Sequence, residues 1–334
     1  MEKGLAGLRN TTPIKIDATG GLVEIVRGDF AVPVVIRPKI GGVGLAAWIH
    51  NSKEWINHEL TACGAVLFRG FDINGAAGFQ ECLQALGGPI MEYRERSSKR
   101  SEIQDHIYTS TDHPADQEIN MHNEHSCSSE WPMKIVFFCH QPSQTGGQTP
   151  IADSREILRS ISAETVEKFR GKGVLYKRQL GTGFGLGWQE VFQTDSKPEA
   201  EQECLKRDME FGWLNDRVLQ VTFKRPAIRR HPVSNEEVWF NHAAFFNILS
   251  MDMGIQNVMR QTEAFPFNTF FGDGEPIQKE TIDELQRAYR NNRRYFDWQR
   301  NDMLVLDNML MAHGRAQFEG PRKIMVGMLE PISL

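Results

Sequence analysis

The chain has 334 residues, 40% of them hydrophobic and 24% charged, which suits a soluble globular protein with a large core in one large domain or two modest ones. A net charge of −5 and no basic run interleaved with aromatics exclude a polyanionic partner such as nucleic acid, and no apolar stretch approaches the roughly 18 residues of a membrane span. The N-terminal MEKGLAGLRNTTPIKID has no apolar signal core, and five cysteines without CxxC spacing oppose zinc-ribbon and disulfide frameworks, so a reducing cytoplasm is expected.

In chain order, a first clear helix ends at HELTACG with Gly64 as its stop. AVLFRGF (65–71) follows as a strand, and NGAAGFQECLQALGG sets Phe79, Cys82, Leu83 and Leu86 at helical spacing. MHNEHSCSSEWP (121–132) packs two histidines and a glutamate into five positions. KIVFFCH (134–140) is a strand-length apolar run, QPSQTGGQTP a punctuated loop, and SAETVEKFRGKG a helix started by Ser162. VLQVTF and EVWFNHAAFF read as strands, and TIDELQRAYRNN as a helix with a capping-box spacing from Thr281 to Glu284 and an apolar face of Ile282, Leu285 and Tyr289. The last strands are DMLVLDNML and RKIMVGMLE, separated by MAHGRAQFEGP, which sets His313 in a turn. Many short strands with helices in front and between them predict a β-rich, α+β chain with a closed or double-sheet core. The glycine-rich GTGFGLG (181–187) superficially invites a dinucleotide-loop reading, but such runs are usually only loops, and the chain does not otherwise read as a doubly wound nucleotide fold.

On a strand over 119–125, His122 and Glu124 point the same way and His125 the other. An imidazole and a carboxylate so placed can clamp a divalent metal, and one distant histidine completes the 2-His-1-carboxylate face of non-heme iron enzymes. His313 is available for that place, and Arg322, nine residues on, can hold a carboxylate by a bidentate contact, with the Thr149 hydroxyl of GGQT as a second donor. Two histidines and a glutamate also suit catalytic zinc, and a jelly-roll binding protein with a vestigial metal site is the non-enzymatic alternative. A zinc hydrolase would have no use for Arg322 or Thr149, and three intact ligands plus the arginine argue against a binding protein.

The order H-x-E, GG-x-T, H-x₈-R, together with GAVLFRGF, IYTSTDHPADQEINMHNE, GGQTPIADSR, VWFN, GDGEPI and LDNMLMAHGRAQFEGPR, resembles the taurine dioxygenase-like (TauD/TfdA) family of Fe(II)/2-oxoglutarate oxygenases, most of all its syringomycin-biosynthesis hydroxylase-like branch. The resemblance is clearest from about residue 60 onward, and no composition break divides 1–334 into more than one such domain. It implies a double-stranded β-helix (jelly roll) with flanking and inserted helices, iron on His122, Glu124 and His313, and 2-oxoglutarate on Thr149 and Arg322. Asn120, two before His122, is expected to touch the co-substrate. Dioxygen would be the oxidant and an amino acid, free or tethered to a peptidyl carrier protein, the substrate. Val326 stands where the taurine-type enzyme has a substrate-binding arginine, which argues against sulfonate recognition by that route. His125 and Cys127 replace apolar residues expected in close relatives, His106 and His113 flank a segment expected at the pocket entrance, and His140 and His231 are expected to be structural. Arg69 and Arg155 are expected to brace backbone, and Trp131 and Trp239 to lie in the core.

Overall fold

A computed structural model describes residues 21–27, 32–92, 102–104, 107–109 and 113–333; His106 lies outside them. The largest sheet has eight strands, in the order Val23–Val26, Val34–Pro38, Ala65–Phe68, Met303–Asp307, Glu130–Gln141, Lys323–Ser333, Ile107–Thr109, Glu102–Gln104. Its long centre pairs Glu130–Gln141 with the C-terminal strand in an antiparallel ladder, from Cys139 opposite Ile324 to Glu130 opposite Ser333.

Side-chain alternation decides what each face covers. Val66, Phe68, Val136, Phe138 and Val305 point to one side, where the helices Leu45–Asn51, Lys53–Cys63 and Gly75–Leu86 bury Trp48, Ile56, Phe79 and Leu83 against them. Ala65, Leu67, Ile135, Phe137, Leu304, Ile324 and Val326 point to the other side, together with Ile151 and Met311 of a second layer. That layer is a three-stranded sheet, Ile119–His122, Met311–Arg315 and Ile151–Asp153 in order. A separate core packs the four-stranded sheet around Val174–Leu180 and Leu219–Arg225 against helix Lys279–Asn291, through Tyr176, Phe223, Ile282 and Leu285.

Three local expectations are corrected. Helix Lys279–Asn291 begins two residues before Thr281, so Thr281 and Glu284 form no capping box. The Glu284 carboxylate instead accepts from the Ser162 amide at 2.7 Å and the Thr165 hydroxyl at 2.7 Å, closing the start of another helix, Ala163–Lys172. A charged acceptor serves any orphan amide donors within reach, and tertiary packing put these nearer. In EVWFNHAAFF only Glu237–Trp239 is strand. Asn241 ends it by accepting from the Ala243 amide at 2.8 Å while donating to the Ala227 carbonyl at 2.8 Å, an Asx turn that bends 240–247 toward the second layer. His313, expected in a turn, lies within strand Met311–Arg315.

Candidate metal centre and co-substrate chamber

His122 closes its strand, and Glu124 sits beyond it in a turn rather than on the same strand. Their convergence therefore does not come from strand alternation. Asn308, fully buried in the turn after Met303–Asp307, makes it happen. Its Oδ1 accepts from the Glu124 amide at 2.8 Å, and its Nδ2 donates to the carbonyls of Glu124 and Pro132, each at 2.9 Å. Asn123 donates in turn to the Asn308 carbonyl at 2.8 Å.

The turn is thus held by a side chain some 180 residues distant in sequence (|i−j|=184). Asn308→Ala strands one buried amide and two buried carbonyls, at about 1–3 kcal/mol for each group left unsatisfied. It should lower the unfolding midpoint and, by releasing Glu124, weaken Fe(II) binding by roughly 10–100-fold. An unchanged metal titration would show that the turn holds itself.

Opposite, His313 pairs in register with His122 across the antiparallel strands. One ligand atom from each of His122, Glu124 and His313 lies within 4.8 Å of the others, and this is the cluster of three that could hold a metal ion among the described residues. The Glu124 carboxylate is 3.9 Å from His122 Nε2 and 4.0 Å from His313 Nε2. His122 donates its Nδ1 proton to the Asn120 carbonyl at 2.9 Å, which leaves the Nε2 lone pair to face the cluster. Two imidazoles and a carboxylate, with the His122 ring and the Glu124 backbone already oriented by hydrogen bonds, fit an octahedral divalent metal with open positions. His125 stands apart: it turns at φ 56°, and its Nε2 lies 3.7 Å from the other carboxylate oxygen of Glu124, outside the cluster.

Beside the cluster a narrow chamber runs between the two sheets, with His122, His313, Thr149, Arg315, Arg322 and Val326 among its lining. Arg322 donates Nε to the Gly147 carbonyl at 3.0 Å. Gly147 is left-handed (φ 70°), and a β-carbon there would come within 3.1 Å of the Arg322 side chain, so glycine gives the guanidinium its room. Thr149 accepts from Trp298 Nε1 at 3.0 Å, which leaves its hydroxyl proton to point into the chamber. Burial, with Arg315 nearby, pulls the Arg322 guanidinium down to about 10, and burial also lowers Arg315. Two guanidiniums in a low-dielectric slot favour an anionic occupant.

Asn120 is placed differently from expectation. The pairing shifts between His313–His122 and Arg315–Ile119, so Asn120 and Met121 together answer the single Gly314. This bulge breaks alternation: Ile119 joins His122 in the chamber, while Asn120 is exposed in a hollow outside it. Gly314 makes the bulge possible, since a β-carbon there would sit 2.6 Å from the Ile119 carbonyl.

The remaining residues fall as follows. Arg69 binds Asp302 at 2.6 Å and Arg155 binds Asp153 at 2.6 Å, so both brace the scaffold. Trp131 and Trp239 are buried in the core, and His231 is buried on Asp307 at 2.9 Å. The His113 carbonyl accepts from Arg315 at 2.9 Å, and burial together with Arg315 holds its imidazole below the ordinary range. Sequence reasoning missed Asn308, Trp298, Arg315 and His242. Only Arg315 carried a legible signal, as it shares a strand face with His313. His242 is buried 5.8 Å from the His122 ring, with Nδ1 2.6 Å from the Ser126 hydroxyl, and burial pushes its pKa well down.

Residues 32–329 match the family described as taurine catabolism dioxygenase TauD, TfdA. The dapdiamide synthesis protein DdaC of Enterobacter agglomerans is 38% identical over 311 residues, covering 89% of this chain and 94% of the relative. A clavaminate synthase-like protein of Arabidopsis thaliana is 28% identical over 314 residues, covering 89% and 93%. Among solved structures, PvcB of Pseudomonas aeruginosa superposes with a TM-score of 0.54 at 14% identity over 92% of this chain and 90% of its own. Another PvcB structure is described as an Fe, α-ketoglutarate-dependent oxygenase and gives 0.53 at 14% identity, over 92% and 90%. At such identity the likeness speaks to fold, and it bears out the double-stranded β-helix. With nearly the whole chain matched, this protein belongs to the TauD/TfdA dioxygenase family.

Proposed function

We propose that this dioxygenase, which works with Fe(II) and 2-oxoglutarate, hydroxylates an unactivated C–H bond of an amino acid, with His122, Glu124 and His313 as the iron ligands. The observation that carries the assignment is the convergence of these three donors beside an anion-seeking chamber. Thr149 and Arg322 would hold the distal carboxylate of 2-oxoglutarate, Thr149 through its free hydroxyl proton and Arg322 through its fork. Arg315 adds charge to the slot, while Phe137, Ile324 and Val326 keep water from it.

Bound iron would supply dioxygen activation, the co-substrate being oxidised to succinate and CO₂ while one oxygen atom enters the substrate. The protein's part is to bind, orient and keep dry. Glu124 acts as a ligand and not as a base. Desaturation or cyclisation of the same substrate would engage the same residues. The relative named for dapdiamide synthesis supports a place in specialised metabolism. Five free cysteines suit a reducing compartment such as the cytoplasm, and no helix among the described residues is long and apolar enough to cross a membrane.

Anaerobic addition of Fe(II) and then 2-oxoglutarate should produce the visible charge-transfer band of an iron-bound 2-oxo acid. Metal retention without that band would refute the assignment and favour zinc chemistry. Trp298→Phe tests the chamber wall separately. Loss of the indole donor frees the Thr149 hydroxyl to turn away, and one neutral hydrogen bond of about 1 kcal/mol predicts a roughly fivefold rise in the KM for 2-oxoglutarate. An unaltered KM would remove Trp298 from the account.

A further inference from the structure

The hollow outside the chamber carries a charge pattern that oxygen activation does not need. Glu118, just before the bulged strand, and Asn120, on it, line one wall, and Phe245 lines another. Gln286, Arg290 and Arg293 line the third, at i, i+4 and i+7 along helix Lys279–Asn291 and just past its end. Phe245 links the hollow to the metal cluster, since its ring centroid lies 4.7 Å from that of His122. Arg293 donates Nη1 to Glu118 Oε1 at 3.0 Å, yet its Nε is buried without a hydrogen-bond partner among the described residues. Among those residues Arg290 is in no ion pair, and the second oxygen of Glu118 has no partner. A cation in a last helical turn suits the helix dipole wherever it occurs, which accounts for Arg290 alone. It does not explain Arg293 and Glu118 facing the same hollow.

We infer that this hollow receives a free α-amino acid as its zwitterion, the α-carboxylate on Arg290 and the open side of Arg293, the α-ammonium on the free oxygen of Glu118. The side chain then lies along Phe245 toward His122. The inference rests on the proposed oxygenase reaction and names its substrate class. Groups of both signs side by side select a zwitterion over a simple anion, which Glu118 would repel. A carrier-tethered thioester would leave Arg290 and Arg293 without the carboxylate they are placed to receive.

The test uses the full chain loaded with Fe(II) and saturated with 2-oxoglutarate, reading succinate released above the substrate-free rate. The probes are a pool of the common L-amino acids, the same pool as methyl esters, and the same pool N-acetylated. The free acids should stimulate release, and each blocked pool should do so at least about tenfold less, the scale of losing one charged contact. Arg290→Met should raise the KM of the best free acid roughly 10–100-fold with kcat little changed, and should abolish the preference over its ester. Glu118→Gln should abolish the discrimination against the N-acetyl form. No stimulation by the free acids, esters as good as acids, or an unchanged KM in Arg290→Met would each overturn the inference. Failure of the oxygenase reading itself would show separately, as loss of substrate-free succinate release and of the anaerobic charge-transfer band.

Discussion

His313→Ala should abolish turnover, by about 1,000-fold or more, and remove the charge-transfer band. Loss of a single outer partner of a metal ligand already costs roughly 10–100-fold in affinity or activity, and loss of a ligand itself costs more. The fold should survive, because the ring contacts His313 gives the interior, with His122 at 4.6 Å and edge-on with Phe137 at 5.1 Å, are pair interactions of about 1 kcal/mol each. His125→Asn is the control, since asparagine tolerates the positive φ of that residue. It should keep turnover within about tenfold, because His125 adjoins Glu124 without joining the cluster, and a supporting contact costs less than a ligand. Reversal of the two results would transfer the ligand role from His313 to His125. Metal retention measured on the purified variants, together with thermal unfolding, separates a lost ligand from a lost fold.

Arg322→Gln should raise the KM for 2-oxoglutarate roughly 100-fold and leave kcat far less affected. Truncating one partner of a buried, hydrogen-bonded charge pair costs about 2–5 kcal/mol, and here the lost interaction lies at the end of the co-substrate remote from the carbon that reacts. Arg322→Lys should recover only part of that affinity. An ammonium offers no fork, and in a slot that already pulls a guanidinium down to about 10 it is more readily deprotonated. Titrating the charge-transfer band with 2-oxoglutarate measures affinity directly. Equal affinity in wild type and Arg322→Gln would leave Arg315, the other guanidinium of the slot, as the carboxylate's partner.

The two corrections at the site have one physical origin. Alternation along a strand predicts a shared face for Asn120, His122 and Glu124 only while the strand is regular. The bulge opposite Gly314 removes that regularity before His122, and the turn at 123–128 removes it after. Glu124 still reaches the metal cluster, but on a turn clamped by Asn308. Asn120 does not reach the chamber and instead serves the hollow. The same logic took Glu284 from its own helix to the start of another: a local spacing names a partner, and packing chooses among all partners within reach.

By itself the sequence determined the chemistry and most of the scaffold. Residue type limits what can hold a divalent metal or a carboxylate, so H-x-E, His313, Thr149 and Arg322 were legible as a set. Strand-length apolar runs such as KIVFFCH and glycine stops such as Gly64 are written in neighbouring residues and survive folding. Only the tertiary structure decided which groups share a cavity: Asn308 on the Glu124 turn, Trp298 on Thr149, Arg315 beside Arg322, and Glu118 against Arg293. These pairs are either far apart along the chain or aimed by a bulge, and a single sequence encodes long-range contact through the packing of whole sheets rather than through any local pattern.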